Sequence, residues 1–174
     1  LTAFLPAAAI GNPALIQRHT PATTSATFSP VRVQIPVIGV DAPVESVGNK
    51  KDGSMDTPRT LSNVAWYMLG ARPGQPGNAV FAGHLNNGLV TAGVFSKLSQ
   101  VKIGDRITIL TDNGETFIYS VSEIRQYGAA EAPVQEIFRT TGPSQIVLIT
   151  CDGDWVRTQK TFDKRLVVVA QLQS

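Results

Sequence analysis

The chain is short of several things, and each shortage removes a class of function. It has one cysteine, Cys151, in 174 residues. A lone cysteine cannot form an internal disulfide, so its thiol is either buried and inert or reactive. Only two histidines accompany it, His19 and His84, neither near it in sequence. No zinc site of ordinary spacing is available from that set, and no metal is expected. Charge is scarce as well: 16% of residues, with a net charge of +2. That balance gives no argument for nucleic acid, and no basic cluster occurs along the chain. A phosphate-cradling Gly-Lys loop and a dinucleotide fingerprint are both absent, so no cofactor is expected. No apolar run reaches the roughly 18 residues a membrane-crossing helix needs.

What is present fits one folded domain with a sizeable core. Hydrophobic residues make up 43% of the chain, a globular proportion. Leu1 to Pro30 is the exception. Its HTPATTSATFSP stretch is rich in Thr, Ser, Ala and Pro without periodicity, and reads as a linker. The opening LTAFLPAAAIG is read as an apolar tail or the trailing edge of a removed signal or anchor. His19, inside the linker, is expected to be solvated. The domain is therefore placed at 31–174.

From Val31 the signals are mostly those of strands. VRVQIPVI alternates with period two, and Pro36 marks its end because it lacks an amide donor. APVESVG reads as a second strand closed by GNKKDGS. MDTPRTLSNVAWYMLG is mixed: Pro58 and Asn63 are expected to bracket a helical turn, with Trp66 and Tyr67 supplying core bulk. AVFAGHL reads as a central strand ending at His84, with Gly83 admitting a close neighbour. NNGLVTAG is a loop, and GVFSKLSQV a short helical turn with Val94, Phe95 and Leu98 on one side. RITILTDNGETFIYSVSEIRQYG is a hairpin, because Asn113-Gly114 separates two alternating runs. AAEAPVQEIFRTTGPS is a long connection with a helical turn at Val134 to Phe138. The strand QIVLITC, the loop DGDWVRTQKTFDK and the strand RLVVVAQL complete the chain. Seven or eight short strands with almost no helix indicate an all-β sandwich or barrel.

Three residues stand at strand ends: His84, Cys151 and Arg165. Singly each has a plain structural explanation. A cysteine on an apolar strand is usually core, a histidine usually a hydrogen-bonded structural residue, and an arginine opening a strand a solvated rim charge. Together they supply what thiol acyl transfer needs: a nucleophile, a proton carrier and a fixed cation near the developing oxyanion. Asp152 and Asp154 flank the thiol in sequence. They would disfavour a thiolate if they faced it, and both are expected to point away.

AVFAGHL, then GVFSKLSQVKIGDRITI, IVLITC and KRLVVVAQL, in that order and spacing from Val31 to Leu172, resemble the sortases. The Gly-His pair, Thr150-Cys151 and Arg165 are the points of likeness. The resemblance implies a closed eight-stranded β-barrel with one or two short helices or 3-10 turns. It implies an extracytoplasmic bacterial cysteine transpeptidase, held at the plasma membrane by a segment outside this chain. The implied substrate is an LPxTG-like sorting signal cleaved after Thr. The acyl group would pass through a thioester to an amine, such as that of a peptidoglycan cross-bridge or stem peptide. Cys151 would be nucleophile, His84 general acid/base and Arg165 oxyanion and substrate ligand. The Leu85 amide would add a donor and Thr150 would shape the groove. Substrate contacts would come from 126–144, including Val134 and Ile137, and from 152–164, with Trp155 covering the site.

Finer features also follow from the likeness. The Asp-Pro-aromatic lid of many pilin-polymerising sortases does not occur in Leu1 to Pro36, which argues for a non-pilin type. The short Cys-to-Arg loop looks most like class F, or class E. No acidic cluster places a calcium ion. FLPAAAIG lacks the Thr-Gly of a sorting signal and is taken as coincidence. Two alternatives stand beside this reading. An L,D-transpeptidase-like wall enzyme also pairs Cys and His on a β scaffold, although Asp152 stands where an arginine is expected after its cysteine. A non-catalytic β-barrel binding module would leave Cys151 buried.

Overall fold

The computed structural model describes residues 27–86 and 91–174. His19, FLPAAAIG and part of the NNGLVTAG loop lie outside the described residues. Eight strands form one closed barrel in the order β1-β2-β3-β4-β7-β8-β6-β5. They are β1 (Pro30–Ile35), β2 (Val40–Val47), β3 (Val64–Tyr67), β4 (Gly77–Gly83), β5 (Arg106–Thr111), β6 (Thr116–Gly128), β7 (Ser144–Val156) and β8 (Thr161–Leu172). Among the described residues the helical content is one short helix, α1 (Val134–Ile137), and 3-10 turns at Pro36–Ile38 and Leu98–Gln100. The all-β barrel expected from the sequence is the fold observed.

Period-two patterning explains the regular part. Val33 and Ile35 of β1, Ile107 and Ile109 of β5, and Tyr119 and Val121 of β6 all point into the barrel and are buried. The β5–β6 hairpin turns where Asn-Gly predicts, with Gly114 at φ 84°. Pro36 ends β1 and opens a 3-10 turn. Phe95 and Leu98 are buried, and Val94 packs against the same core.

β4, β7 and β8 are apolar almost without a break because both of their faces are covered. Phe81, Ile146, Leu148, Leu166 and Val168 belong to the barrel core. Their neighbours Val80, Val147 and Val167 point outward into a second cluster, which Ile137 of α1 closes. Tyr67, Tyr127, Phe138 and Ile149 pack around that cluster.

Three boundaries differ from the sequence reading. Phe28, within the stretch read as linker, is buried and stacks on Phe117 with ring centroids 5.7 Å apart. The helical turn between Pro58 and Asn63 does not form. Instead the Glu45 carboxylate accepts from the Asn63 side chain at 2.6 Å and from the Arg59 amide at 3.3 Å, and delivers Val64–Tyr67 as a strand parallel to β2. The loop after Cys151 is largely a hairpin: β7 runs on to Val156 and β8 begins at Thr161, with a register shift between Asp152 and Trp155.

Leu148 sits fully buried in β7, one of the three strands that contribute to both clusters. Leu148→Ala is expected to lower the unfolding free energy by about 2–5 kcal/mol, measured by urea denaturation followed through tryptophan fluorescence. An unchanged midpoint would contradict its central place.

Candidate active site

The site is assembled by the two neighbours of β7. β4 runs parallel to it, with Ala82 opposite Ile149. One residue on, the Thr150 hydroxyl donates to the Gly83 carbonyl at 2.9 Å in a buried bond. His84 then leaves β4 alongside Cys151. On the other side β8 is antiparallel, and Cys151 pairs directly with Arg165. Directly opposed residues share a face, so thiol and guanidinium project together on the outer face, in line with Ile149 and Val167.

Two glycines let the histidine sit where it does. A Cβ on Gly83 would lie 2.5 Å from the Phe95 ring, and one on Gly93 would lie 2.2 Å from the His84 carbonyl oxygen. That carbonyl accepts the Phe95 amide at 3.0 Å. The His84 ring places Nε2 3.0 Å from the Pro58 carbonyl oxygen. A carbonyl only accepts, so Nε2 carries its hydrogen and Nδ1 is the nitrogen left for proton transfer.

Arg165 is held by its own hairpin. Nη1 donates to the carbonyls of Phe162 (2.9 Å) and Lys164 (2.8 Å), and Nη2 donates to Thr161 Oγ1 at 3.0 Å. No carboxylate pairs with it among the described residues. Its charge is therefore not neutralised by a carboxylate among the described residues and is available to a ligand.

Cys151, His84 and Arg165 line one cleft of about 670 Å³. Cys151 is half-buried. Ala82 and Ile149 lie on the cleft's strand side, while Met55, Pro58 and Leu61 come from the β2–β3 connection. Trp155 and Phe162 come from the β7–β8 hairpin and meet edge-to-face at 5.2 Å. Trp155 remains 45% exposed.

Asp152 sits on the other face of β7, because side chains alternate along a strand. There its carboxylate accepts from Gln126 at 2.6 Å. Asp154 is exposed, and neither aspartate lines the cleft. Among the described residues no group of three His, Cys, Asp or Glu side chains could hold a metal ion.

The proposed substrate contacts divide. Trp155 and Thr150 border the cleft. The Thr150 side chain itself points into the barrel and is 3% exposed, so its part is to tie β7 to β4. Leu85 follows His84 in a bend outside the lining, its carbonyl accepting the Gly93 amide at 2.8 Å. Val134 and Ile137 also lie outside it. Val134 is 63% exposed, and Ile137, the buried residue of α1, borders a separate cleft with Asn78 and Val147. Sequence reasoning missed the Pro58 carbonyl, which no side-chain signal marks, and the grip of Thr161 on Arg165.

The family model described as Sortase domain matches residues 33–173. The chain belongs to the sortase family. Solved sortases share the fold of this sortase chain. Sortase A from Corynebacterium diphtheriae is 27% identical, with a TM-score of 0.63, covering 82% of this chain and 60% of its own. Sortase C-1 from Actinomyces oris is 27% identical at a TM-score of 0.64, covering 82% and 73%. Sortase A from Listeria monocytogenes is 26% identical at 0.62, covering 84% and 88%. The chain thus spans about 60% of the length of the C. diphtheriae structure. Sortases labelled A and C match about equally, so the likeness is to the family rather than to one class. None of the curated proteins matches the sequence.

Gly93→Ala is expected to force the His84 backbone aside and to lower stability by about 1–3 kcal/mol. Thermal unfolding, together with NMR of the His84 ring, checks this. An unmoved ring signal at wild-type stability would contradict the tight approach.

Proposed function

We propose that this sortase is an extracytoplasmic cysteine transpeptidase that cleaves an LPxTG-like sorting signal after Thr and passes the acyl group to an amine of the cell wall. The observation that carries the reading is the direct pairing of Cys151 with Arg165, in a cleft that His84 also lines. The family membership supports the same chemistry.

In the first step Cys151 passes its thiol proton to His84 Nδ1, and Sγ attacks the threonine carbonyl carbon. A C–S bond forms, the C–N bond to the following residue breaks, and His84 Nδ1 gives a proton to the leaving amine. In the second step an acceptor amine attacks the thioester. The new C–N bond forms, the C–S bond breaks, and the proton from the amine returns to Nδ1. The acceptor in this reading is a peptidoglycan cross-bridge or stem-peptide amine.

Arg165 faces the oxygen that gains charge in both steps. Its planar fork is held by two carbonyls and a hydroxyl, so little reorganisation is needed as the charge develops. Asp152 is turned to Gln126, on the face of β7 away from the thiol. The substrate meets an apolar strand side at Ala82 and Ile149 and the aromatic flank of Trp155. Among the described residues no helix is long and apolar enough to cross a membrane. Attachment at the extracytoplasmic face is assigned, within this reading, to a segment outside this chain.

Incubation with a panel of sorting-signal peptides should give an acyl-enzyme mass on Cys151, and Cys151→Ala should give neither adduct nor cleavage. Full cleavage by that variant would sink the proposal. Arg165→Lys keeps the charge and loses the fork, and should reduce kcat/KM by roughly ten- to a hundred-fold. Wild-type turnover from the lysine variant would remove Arg165 from the mechanism.

A further inference from the structure

The peptide unit between Pro58 and Arg59 has a partner at each end. Its carbonyl oxygen stands 3.0 Å from His84 Nε2 and accepts from it. Its N–H, on Arg59, donates to the Glu45 carboxylate, 3.3 Å from each oxygen. The two ends also face different clefts. Pro58 is buried and lines the Cys151 cleft with His84. Arg59 and Glu45 line a second cleft, together with Asn63. The 58–59 peptide is thus a partition between the two, and Glu45 is joined to the imidazole through it.

Both ends of the unit are held. The Pro58 ring fixes φ on the side of the carbonyl, and the carboxylate fixes the N–H. Glu45 itself is placed by the sheet. It stands on β2 opposite Ala65 of the parallel β3, and its side chain is 20% exposed. One of its oxygens also accepts from Asn63 Nδ2 at 2.6 Å. Its one ion pair among the described residues is with the Arg59 guanidinium, at 4.0 Å and on a side chain 91% exposed. A contact that long and that exposed is screened by water and salt, and it leaves the carboxylate charged toward the peptide.

We propose that Glu45 is a positioning residue for the acid/base histidine, acting through the Pro58–Arg59 peptide. This rests on the acyl-transfer reading above. A peptide group carries its donor and acceptor at opposite ends of one dipole, and hydrogen bonds in a chain polarise one another. A carboxylate on the N–H end drives electron density toward the carbonyl oxygen, which becomes a stronger acceptor for Nε2–H. Two consequences follow for the ring. The neutral imidazole keeps its hydrogen on Nε2, so the Nδ1 lone pair is the one left for the thiol proton. Once Nδ1 has taken that proton, the positive ring keeps a polarised acceptor on its far side. Glu45 does not line the Cys151 cleft, so its loss should fall on kcat and leave KM alone.

The test must separate this from the part Glu45 plays in seating β3. Glu45→Gln keeps an oxygen acceptor for Arg59 and Asn63 and removes the charge. Asn63→Ala removes the other partner of the carboxylate and leaves the 58–59 peptide bonded. The tautomer of His84 is followed by NMR of its ring nitrogens, and kcat and KM are measured with a sorting-signal peptide. In the wild type the ring is expected to carry its hydrogen on Nε2. Glu45→Gln should shift population toward the Nδ1–H form and lower kcat roughly three- to ten-fold at unchanged KM, with an unfolding midpoint close to that of the wild type. Asn63→Ala should lower the midpoint and leave the ring pattern as it was. Wild-type ring signals in Glu45→Gln overturn the proposal. So does the same ring change in Asn63→Ala, which would make the carboxylate a strut of β3 alone. The ring measurement needs no turnover: a protein that forms an acyl-enzyme with no peptide overturns the acyl-transfer reading, while the NMR comparison still decides whether Glu45 sets the tautomer.

Discussion

The backbone hydrogen bonds that hold β7 between β4 and β8 set the position of Cys151 and of the strand side of the cleft. Side chains alternate along a strand, so the register on each side of β7 decides which residues meet. With Ala82 opposite Ile149 and Cys151 opposite Arg165, thiol and guanidinium share a row, and His84 follows the end of β4 into the same cleft. A slip of one residue in the β7–β8 ladder would turn a member of that row into the barrel. The buried Thr150–Gly83 bond and the double-sided apolar packing of β4, β7 and β8 resist such a slip. The residue before the cysteine thus contributes through register, its own side chain pointing away from the cleft.

Much of this arrangement was legible before any coordinates. The alternation in VRVQI and ITIL, the Asn-Gly turn and the apolar runs ending in His84 and Cys151 are local signals, and they gave the strands. Less legible was whatever depends on a partner distant in sequence. β3 is a strand because Glu45 gathers Asn63 and Arg59 against β2, and nothing in NVAWY announces that. The strand extensions beyond Cys151 were hidden because DGDWVRTQ has no period, and the register shift after Asp152 allows pairing to resume.

The substrate-contact expectations separate for the same reason. Trp155 borders the cleft because the hairpin that carries it grows directly out of the Cys151–Arg165 pair. Val134 and Ile137 belong to a helical turn that the sequence does announce. The surface on which that turn lies is set by Val80, Val147 and Val167, which come from three other strands. An apolar residue packing against a barrel and one lining a groove look alike in sequence. Only the placement of α1 separates them.

The Thr150–Gly83 bond joins residues 67 positions apart. Bringing such distant segments together carries an entropy cost that the tight β5–β6 turn does not. The cleft is therefore a product of the slow, topologically demanding part of folding. While β7 is not yet seated beside β4, the thiol has no imidazole beside it, and the chain carries a cysteine without a reaction centre. Reactivity of the folded kind arrives together with the long-range closure of the sheet, so appearance of turnover during refolding is a clock for that closure rather than for hairpin formation.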